Sequence, residues 1–219
     1  MQKRILVVNP NSSQHITDAL SASVQPHRDG GIAVDCVTLA EGPPGISSHT
    51  HKAFVVGPMQ ALVLREAPDT AAYVIACFGD PGLMAVREVT DRPVFGMGEA
   101  SFYTAMALAD RFGVISTTEG SRPRLARYVR ELGLADRFAG SVAAGIPVVE
   151  LANDPTATLD RLTEAGEALK ALGAQVVITG CAGMAAYRQA LSARLGMPVV
   201  EPAHAAVGLA AGVLRSHSG

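Results

Sequence analysis

The chain repeats one pattern twice, and this repeat constrains the fold more than any other feature. In each half a short apolar run ends at a cysteine, Cys77 or Cys181, and a glycine-containing turn follows. The two cysteines are 104 positions apart, and Pro93 and Pro198, which open the next apolar run of each half, are 105 apart. The run after Arg4 resembles a run that begins 107 positions later. The nearly constant offsets predict a duplicated structural unit.

Short apolar runs alternate with longer stretches rich in Ala, Leu, Arg and Glu, which is typical of an α/β protein. The predicted strands are 4–9, 32–37, 73–77, 94–97, 112–116, 145–149 and 175–179, with a further Pro-Val strand at 198–200. The predicted helices are 12–24, 59–67, 81–89, 99–109, 124–132, 158–172, 182–195 and 203–215. The strands lack polar alternation, as in parallel sheets covered on both faces.

We therefore predict two similar lobes related by a pseudo-twofold, each a mostly parallel sheet flanked by helices. The first lobe is 1–98, with the C-terminal helix 205–219 packing back on it, and the second is 99–204. The active site is expected in the cleft between the lobes. The stretch 42–49, rich in glycine and proline, is interpreted as a loop.

The composition of the chain excludes several classes of function. The chain has 219 residues, a net charge of −2 and no tryptophan, which argues against a nucleic-acid partner. No apolar run approaches the length of a membrane span, and the N-terminus does not resemble a signal peptide. Three cysteines without CxxC spacing favour a reduced, cytoplasmic protein. We expect the protein to bind a small-molecule substrate and to bind neither nucleic acid nor a membrane. Whether it forms a homo-oligomer is left open by the sequence.

Cys77 and Cys181 are the candidate catalytic residues. Each is predicted to leave a strand at a turn into a helix, where free backbone N–H groups lower the pKa of a thiol. Ligands of such sheets bind at the carboxyl ends of the strands. The alternative is that both are small buried hydrophobes. Cys36 has no counterpart in the other half and is interpreted as a core residue.

Polar residues at the strand ends are the candidate substrate-binding residues, and helix capping is their alternative role. Glu99 and His204 are 105 positions apart, so they are expected to be equivalent. A charged pair facing a shared cleft would orient a substrate or tune the thiols. The candidates are Asn11, Ser48, Phe78, Gly79, Glu99, Ser116, Thr117, Thr118, Ala182, Gly183 and His204.

No cofactor or metal is predicted. His49 and His51 form a His-x-His pair with no further ligand at suitable spacing, so a solvated loop is the better interpretation. The pair Gly96 and Gly98 lacks the third glycine of a dinucleotide fingerprint, and no Walker-type loop occurs.

Three motifs resemble those of the aspartate/glutamate/hydantoin racemase superfamily, most closely its hydantoin and allantoin racemase branch. They are the opening 9–13 (Asn-Pro-Asn-Ser-Ser), 76–83 (Ala-Cys-Phe-Gly-Asp-Pro-Gly-Leu) and 180–184 (Gly-Cys-Ala-Gly-Met). The resemblance covers nearly the whole chain. It implies that Cys77 and Cys181 are the two acid/base residues, that the site lies between two α/β lobes, and that no cofactor is used.

The chain departs from that branch at two places. A Pro-Ser-Ile-Glu-like loop is usual there, but residues 44–47 are Pro-Gly-Ile-Ser, and His204 stands where a small residue is usual. The sequence therefore indicates the type of reaction more specifically than it indicates the substrate. An aspartate or glutamate racemase and a maleate isomerase remain alternatives, whereas decarboxylases of the superfamily retain only one cysteine. A thiol-based ligand or redox sensor is the alternative outside enzymes.

Overall fold

The computed structural model describes residues 4–147, 150–151 and 153–217. The chain divides into two compact units. The first comprises Met1–Ala100 with Ala203–Gly219, and the second comprises Ser101–Pro202.

The first unit contains one four-stranded parallel sheet in the order β2-β1-β3-β4. Its strands are β1 (Arg4–Asn9), β2 (Ala33–Thr38), β3 (Ala72–Ile75) and β4 (Val94–Gly96). Its helices are α1 (Gln14–Ser23), α2 (His49–Phe54), α3 (Val56–Glu66), α4 (Leu83–Arg87) and the start of α5 (Met97–Leu108), with 3₁₀ turns at Gln25–Gly30 and Ala67–Asp69. The register pairs Val8 with Ile75, and Ile75 with Gly96, so the strands end at one edge.

The second unit repeats this order, as β6-β5-β7-β8, again with parallel pairing throughout. Its strands are β5 (Phe112–Ser116), β6 (Phe138–Ala143), β7 (Val176–Thr179) and β8 (Val199–Val200). Its helices are α6 (Arg122–Glu131), α7 (Pro155–Ala171) and α8 (Arg188–Leu195), with 3₁₀ turns at Glu119–Ser121, Ala135–Arg137 and Ala182–Tyr187. The last helix, α9 (Pro202–Ser216), belongs to the first unit from its second residue onward.

Each unit has its own apolar core between sheet and helices. In the first unit Leu6 and Tyr73 of the sheet pack with Met59 of α3, and all three are at most 1% exposed. In the second, Ile115 of the sheet packs with Leu162 of α7 and Leu191 of α8, all fully buried. The predicted fold class, parallel sheets flanked by helices with the same strand order in both halves, is confirmed.

The predicted strand at 145–149 is wrong. The strand next to β5 is instead Phe138–Ala143, which contains Gly140 with a φ of +147° and a register irregularity opposite Phe112 and Gly113. Its glycine, alanines and serine break up the apolar run by which buried strands are recognised. Gly145 adopts a positive φ of 71° and does not continue a strand, and residues 148–149 lie outside the described part.

One loop and one helix prediction also need correction. His49 and His51, interpreted as part of a solvated loop, lie in the short helix α2, and the Ser48 side chain caps it by accepting from the His51 N–H at 3.1 Å. The predicted helix 182–195 begins as a 3₁₀ turn and is α-helical only from Arg188. Both segments are short, so local capping and tertiary contacts outweigh helix propensity.

The helix predicted at 81–89 does not start at Pro81, although Asp80-Pro81 has the local pattern of a helix N-cap. Instead α4 starts at Leu83 after Gly82, which has a φ of +68°, and Asp80 itself has a positive φ of 42°. The Asp80 carboxylate points to another helix, α5, as described below. Within the described part of the chain, no helix is both long and apolar enough to cross a bilayer.

Candidate active site

Cys77 occupies a tight turn at the carboxyl edge of the first sheet. It is the second residue after β3 ends, and Ala76 between them donates its N–H to the Val8 carbonyl at 2.8 Å. The Asp80 N–H donates a hydrogen bond to the Cys77 carbonyl at 2.9 Å, so Phe78 and Gly79 are the two central residues of the turn. Cys77 is partly exposed.

Cys181 occupies the equivalent position of the second sheet. It is the second residue after β7, and Gly180 before it donates its N–H to the Ile115 carbonyl at 2.8 Å. Val8 and Ile115 are each the last residue but one of the strand that opens their unit. The two cysteines thus have the same backbone environment, one in each unit.

The pKa of the Cys181 thiol is raised above its usual value. Burial is the largest cause that raises its pKa, and the Glu201 carboxylate raises it further, whereas the Gly183 N–H lowers it by donating to the sulfur. Cys181 also precedes the 3₁₀ turn Ala182–Tyr187, which the Met184 N–H closes on the Cys181 carbonyl at 3.0 Å. Ala182 and Gly183 therefore lie beside the Cys181 thiol, and their role in binding a substrate stays a prediction.

Asn11 lies at the end of β1, beside the Cys77 edge, and is 7% exposed. Its Oδ1 accepts from the Asn9 side chain at 3.0 Å and from the Ser13 N–H at 2.9 Å. Asn9, fully buried, also donates to the Ser13 carbonyl and to Thr17. This network fixes the loop between β1 and α1, so that the Asn11 amide is held at the strand ends.

Glu99 is held by a neighbouring arginine. Its Oε1 forms an ion pair with Arg87 of α4, which also donates twice to the Val94 carbonyl, at 3.1 and 2.8 Å. Glu99 is 7% exposed, and its own N–H donates to Asp80 Oδ2 at 2.7 Å. The structure thus gives this candidate a structural partner in its own unit.

Lys52 connects α2 to the turn that contains Cys77. Its Nζ donates to the Gly79 carbonyl at 2.7 Å, and a Cβ at Gly79 would lie 2.5 Å from this Nζ and 2.7 Å from Cε. The candidate Ser48 caps the same helix, and Ser47, of the altered loop, contacts His51 Nδ1 at 3.3 Å. The loop at 44–48 is therefore connected to the turn through α2.

Ser116, Thr117 and Thr118 follow β5, which is the neighbour of β7. Ser116 is 4% exposed and donates weakly to the Thr118 carbonyl at 3.5 Å. The Thr117 carbonyl accepts from Gly145, and the Thr118 carbonyl accepts from Ser121 Oγ at 2.6 Å. These three residues lie at the same strand-end edge as Cys181, where ligands of parallel sheets bind.

His204 pairs with a residue that was not predicted to take part in a site. Its Nδ1 lies 3.0 Å from Nε2 of His27, and the two rings are tilted with centroids 5.0 Å apart. His27 lies in the 3₁₀ turn that precedes β2. The pKa of His27 is lowered, first by burial and then by the charges of His204 and Arg215.

Cys36 lies in the middle of β2 and is partly exposed, so the expectation of a core residue is not met. It lines a cavity of about 590 Å³ with residues that include Ser12, Thr38 and Arg65. Burial raises its pKa to about 11, with smaller opposing effects of Arg28 and Asp35. Among the described residues, no group of three or more His, Cys, Asp or Glu side chains is arranged to hold a metal ion.

A family model for Asp/Glu/hydantoin racemases matches residues 5–210. The chain belongs to the Asp/Glu/hydantoin racemase family. This confirms the resemblance found in the three sequence motifs, and with it the prediction of an isomerase.

Similar proteins point to one branch of the family. The chain is 36% identical to a hydantoin racemase of Paenarthrobacter aurescens over 208 residues, which cover 93% of this chain and 87% of that one. The structure is similar to an allantoin racemase of Pseudomonas fluorescens, with a TM-score of 0.91, 28% identity and coverage of 97% and 91%. It matches an allantoin racemase of Klebsiella pneumoniae with the same TM-score and identity, covering 98% and 88%. The predicted hydantoin and allantoin branch is confirmed.

Several residues that shape the two strand-end turns were not predicted from the sequence. Lys52 and Arg87 act through contacts with residues distant in sequence, at Gly79 and Glu99. Glu201 was not predicted to take part in a site, yet it is 2% exposed and its carboxylate contributes to the raised pKa of Cys181. A charged residue directly after a buried apolar strand was the available signal, because charged side chains are almost never fully buried without a partner.

Proposed function

We propose that this protein racemises a five-membered cyclic ureide, a 5-substituted hydantoin or allantoin, with Cys77 and Cys181 as its acid/base pair and no cofactor. The observation that carries the proposal is the equivalence of the two cysteines. Each is the second residue after the third strand of its unit, and in each case the residue before it donates to the first strand at 2.8 Å. Two equivalent thiols suit a reaction that must invert one carbon.

The chemistry requires one base and one acid. A proton on the carbon next to a carbonyl is weakly acidic, so one thiolate removes it while donors stabilise the enolate that forms. The other thiol then delivers its proton to the opposite side of the carbon, which yields the mirror image. For the other enantiomer the two cysteines exchange roles. Each turnover therefore leaves one thiol and one thiolate, in exchanged positions.

Backbone and side-chain donors near the two turns suit a ureide ring, which presents carbonyl oxygens and ring N–H groups. Gly183 offers a backbone N–H beside Cys181, and Ser116 and Thr117 offer hydroxyls at the same edge. At the other edge, the Asn11 amide is fixed by Asn9 and Ser13. Such preorganised donors stabilise an oxyanion without reorganising during the reaction.

The side-chain preference is proposed to differ from that of the relatives. Residues 44–47 are Pro-Gly-Ile-Ser, without the serine and the acid that the family resemblance leads one to expect. Ser47 is exposed and contacts His51, and Lys52 on the same short helix binds the Gly79 carbonyl. A neutral loop beside a lysine favours a neutral or anionic substituent on the ring over a cationic one.

Solvent-deuterium exchange followed by NMR tests the proposal over 5-substituted hydantoins, allantoin, aspartate, glutamate and maleate. We expect exchange at C5 of a hydantoin or of allantoin, accompanied by loss of optical rotation. Racemisation of aspartate or glutamate with no action on any cyclic ureide would overturn the ring assignment. Isomerisation of maleate alone would assign the other reaction of the superfamily.

A cytoplasmic location and a homo-oligomeric state belong to the same proposal. All three cysteines are free thiols, which fits a reducing compartment. Phe54, Leu64 and Met84 of the first unit are apolar and between 57% and 68% exposed, which fits burial against a second copy. Light scattering after gel filtration measures the mass directly, and a value near 22.6 kDa would contradict the oligomer.

A further inference from the structure

Lys52 and Gly79 fit each other closely. The Lys52 Nζ donates to the Gly79 carbonyl at 2.7 Å, and Lys52 is partly buried. A Cβ at position 79 would lie 2.5 Å from this Nζ and 2.7 Å from Cε, and among the described residues it would meet no other atom within 4 Å beyond its chain neighbours. Gly79 does not have a positive φ, so its backbone conformation is one that other residues adopt. The space that the missing side chain leaves is thus occupied by the lysine.

This contact reaches Cys77 through a single peptide group. The group that joins Gly79 to Asp80 accepts from Lys52 with its oxygen, and its N–H, that of Asp80, donates to the Cys77 carbonyl at 2.9 Å. Hydrogen bonds in such a chain polarise one another, and those with a charged donor are among the strongest. The Lys52 ammonium therefore holds the peptide group that closes the turn around Cys77.

The same lysine is joined to the loop at 44–48, which departs from the family pattern. This loop ends at Ser48, the N-cap of α2, and the Ser48 carbonyl accepts from the Lys52 backbone N–H at 3.1 Å. Lys52 thus contacts the loop with its backbone and the Cys77 turn with its side chain. A displacement of the loop is carried to the turn by two consecutive hydrogen bonds of one residue.

We propose that Lys52 is a positioning residue of the reaction: its ammonium fastens the turn that carries Cys77 to α2, so that the placement of the Cys77 thiol depends on the loop at 44–48. This inference rests on the proposed function, in which Cys77 is one of the two acid/base residues. A misplacement of about 1 Å in an active site costs roughly a hundredfold in rate. Lys52 therefore acts on kcat more than on KM.

Amide hydrogen exchange tests the contact without any substrate. NMR of the isotope-labelled full chain follows the Asp80 N–H, whose hydrogen bond closes the turn. Lys52→Met removes the ammonium and keeps most of the length of the side chain. We expect the Asp80 amide to exchange about tenfold faster in this variant, because losing a charge-assisted hydrogen bond makes local opening easier. An Asp80 amide that exchanges at the parent rate would show that the inference is wrong.

Gly79→Ala breaks the same contact from the other side, because the new Cβ displaces the ammonium. It should also speed Asp80 exchange by about tenfold, so the test does not depend on Lys52→Met alone. In the double variant, Lys52→Met with Gly79→Ala, the exchange rate should be close to that of either single variant, since both changes remove one interaction. Effects that multiply to about a hundredfold would mean that the two residues act independently, and would contradict the inference.

Racemisation of the cyclic ureide that the parent turns over measures the consequence for catalysis. Lys52→Met should lower kcat by about ten- to a hundredfold and leave KM within about twofold of the parent. Lys52→Arg should bring kcat back to within about fivefold of the parent, because the guanidinium keeps the charge and the donors. A parent-like kcat in Lys52→Met, or a loss that Lys52→Arg does not reduce, would contradict the role of the ammonium.

Lys170→Met is the matched control. The Lys170 Nζ donates to the Leu195 carbonyl at 2.9 Å in the second unit, so this variant loses the same kind of hydrogen bond at a place that contains no cysteine. It should lower stability as Lys52→Met does, but keep kcat and Asp80 exchange at the parent values, whereas a merely structural role of Lys52 would make the two variants alike. If the parent racemises no cyclic ureide, the proposed function fails, and Asp80 exchange still decides whether Lys52 holds the turn.

Discussion

The Asp80 carboxylate caps the helix that carries Glu99, with Asp80 Oδ2 accepting from the Glu99 N–H at 2.7 Å. Its second oxygen accepts from the Gly98 N–H at 2.8 Å, and Asp80 is 7% exposed. Asp80 adopts a positive φ of 42° in this position. The turn that holds Cys77 is thereby fastened to the N-terminus of α5, where a negative charge is favourable.

Removing this carboxylate should destabilise the protein and disturb the Cys77 turn. Hydrogen bonds to charged groups contribute roughly 1.5–3 kcal/mol each, so we expect Asp80→Ala to lower the free energy of unfolding by about 2–4 kcal/mol. Asp80→Gly loses the same bonds but accepts a positive φ, so it should be about 1 kcal/mol more stable than Asp80→Ala. Urea unfolding of both variants measures the difference. Equal stabilities would show that the backbone conformation carries no strain.

A second prediction concerns Gly180, the residue before Cys181. A Cβ there would lie 2.7 Å from the Ile115 carbonyl oxygen, a backbone atom that cannot move independently of the strand. We expect Gly180→Ala to lower the free energy of unfolding by about 1–3 kcal/mol, as overpacking does, and to reduce racemisation by displacing Cys181. The control is Gly120→Ala, where a Cβ meets nothing within 4 Å. If the two variants unfold at the same urea concentration, the close approach at Gly180 is not tight.

The His27–His204 pair predicts a loss of stability in mild acid. The pKa of His27 is lowered by burial and by the charges of His204 and Arg215, so below about pH 6.5 the unfolded chain takes up a proton that the folded chain resists. The stabilising contribution of neutral His27 is full above that pH and is lost as the pH falls toward the lowered pKa of the folded state.

Urea unfolding at pH 7.5 and at pH 5.5 measures this loss. His27→Gln should show a smaller drop between the two pH values than the parent. His15→Gln, on the exposed surface of α1, controls for the general effect of replacing a histidine. If the parent and the His27→Gln variant lose the same free energy of unfolding between the two pH values, His27 is not the cause of the loss.

The strands that end at the cysteines could be predicted from sequence because they are continuous apolar runs, and β1 and β5 match their predicted ranges, 4–9 and 112–116, residue for residue. β6 could not be predicted in this way, because Gly140 and Ser141 interrupt its apolar pattern. The strand 145–149 was predicted instead. Apolar periodicity is thus informative for central strands and weak for an edge strand that is half exposed.

The arrangement around the cysteines was harder to predict, because it depends on contacts between residues distant in sequence. Asp80-Pro81 has the local pattern of a helix N-cap, but a tertiary contact with Gly98 and Glu99 outweighs it. Glu99 was predicted as a substrate-binding residue, but it forms an ion pair with Arg87, which lies on another helix. The roles of Cys77 and Cys181 themselves stay a prediction from motif and position.

Serine at either cysteine should abolish racemisation, because a hydroxyl is a far poorer base than a thiol near neutral pH. We expect racemisation by Cys77→Ser and Cys181→Ser to fall by at least about a thousandfold. Each variant should still exchange the α-proton of one enantiomer with deuterium, through the remaining cysteine, and the two variants should prefer opposite enantiomers. Cys36→Ser is the control: Cys36 lies on the edge strand β2 with a pKa of about 11, so turnover should stay near the parent value. Chiral chromatography and NMR follow the two processes separately. Racemisation near the parent rate in either active-site variant would contradict the two-thiol mechanism.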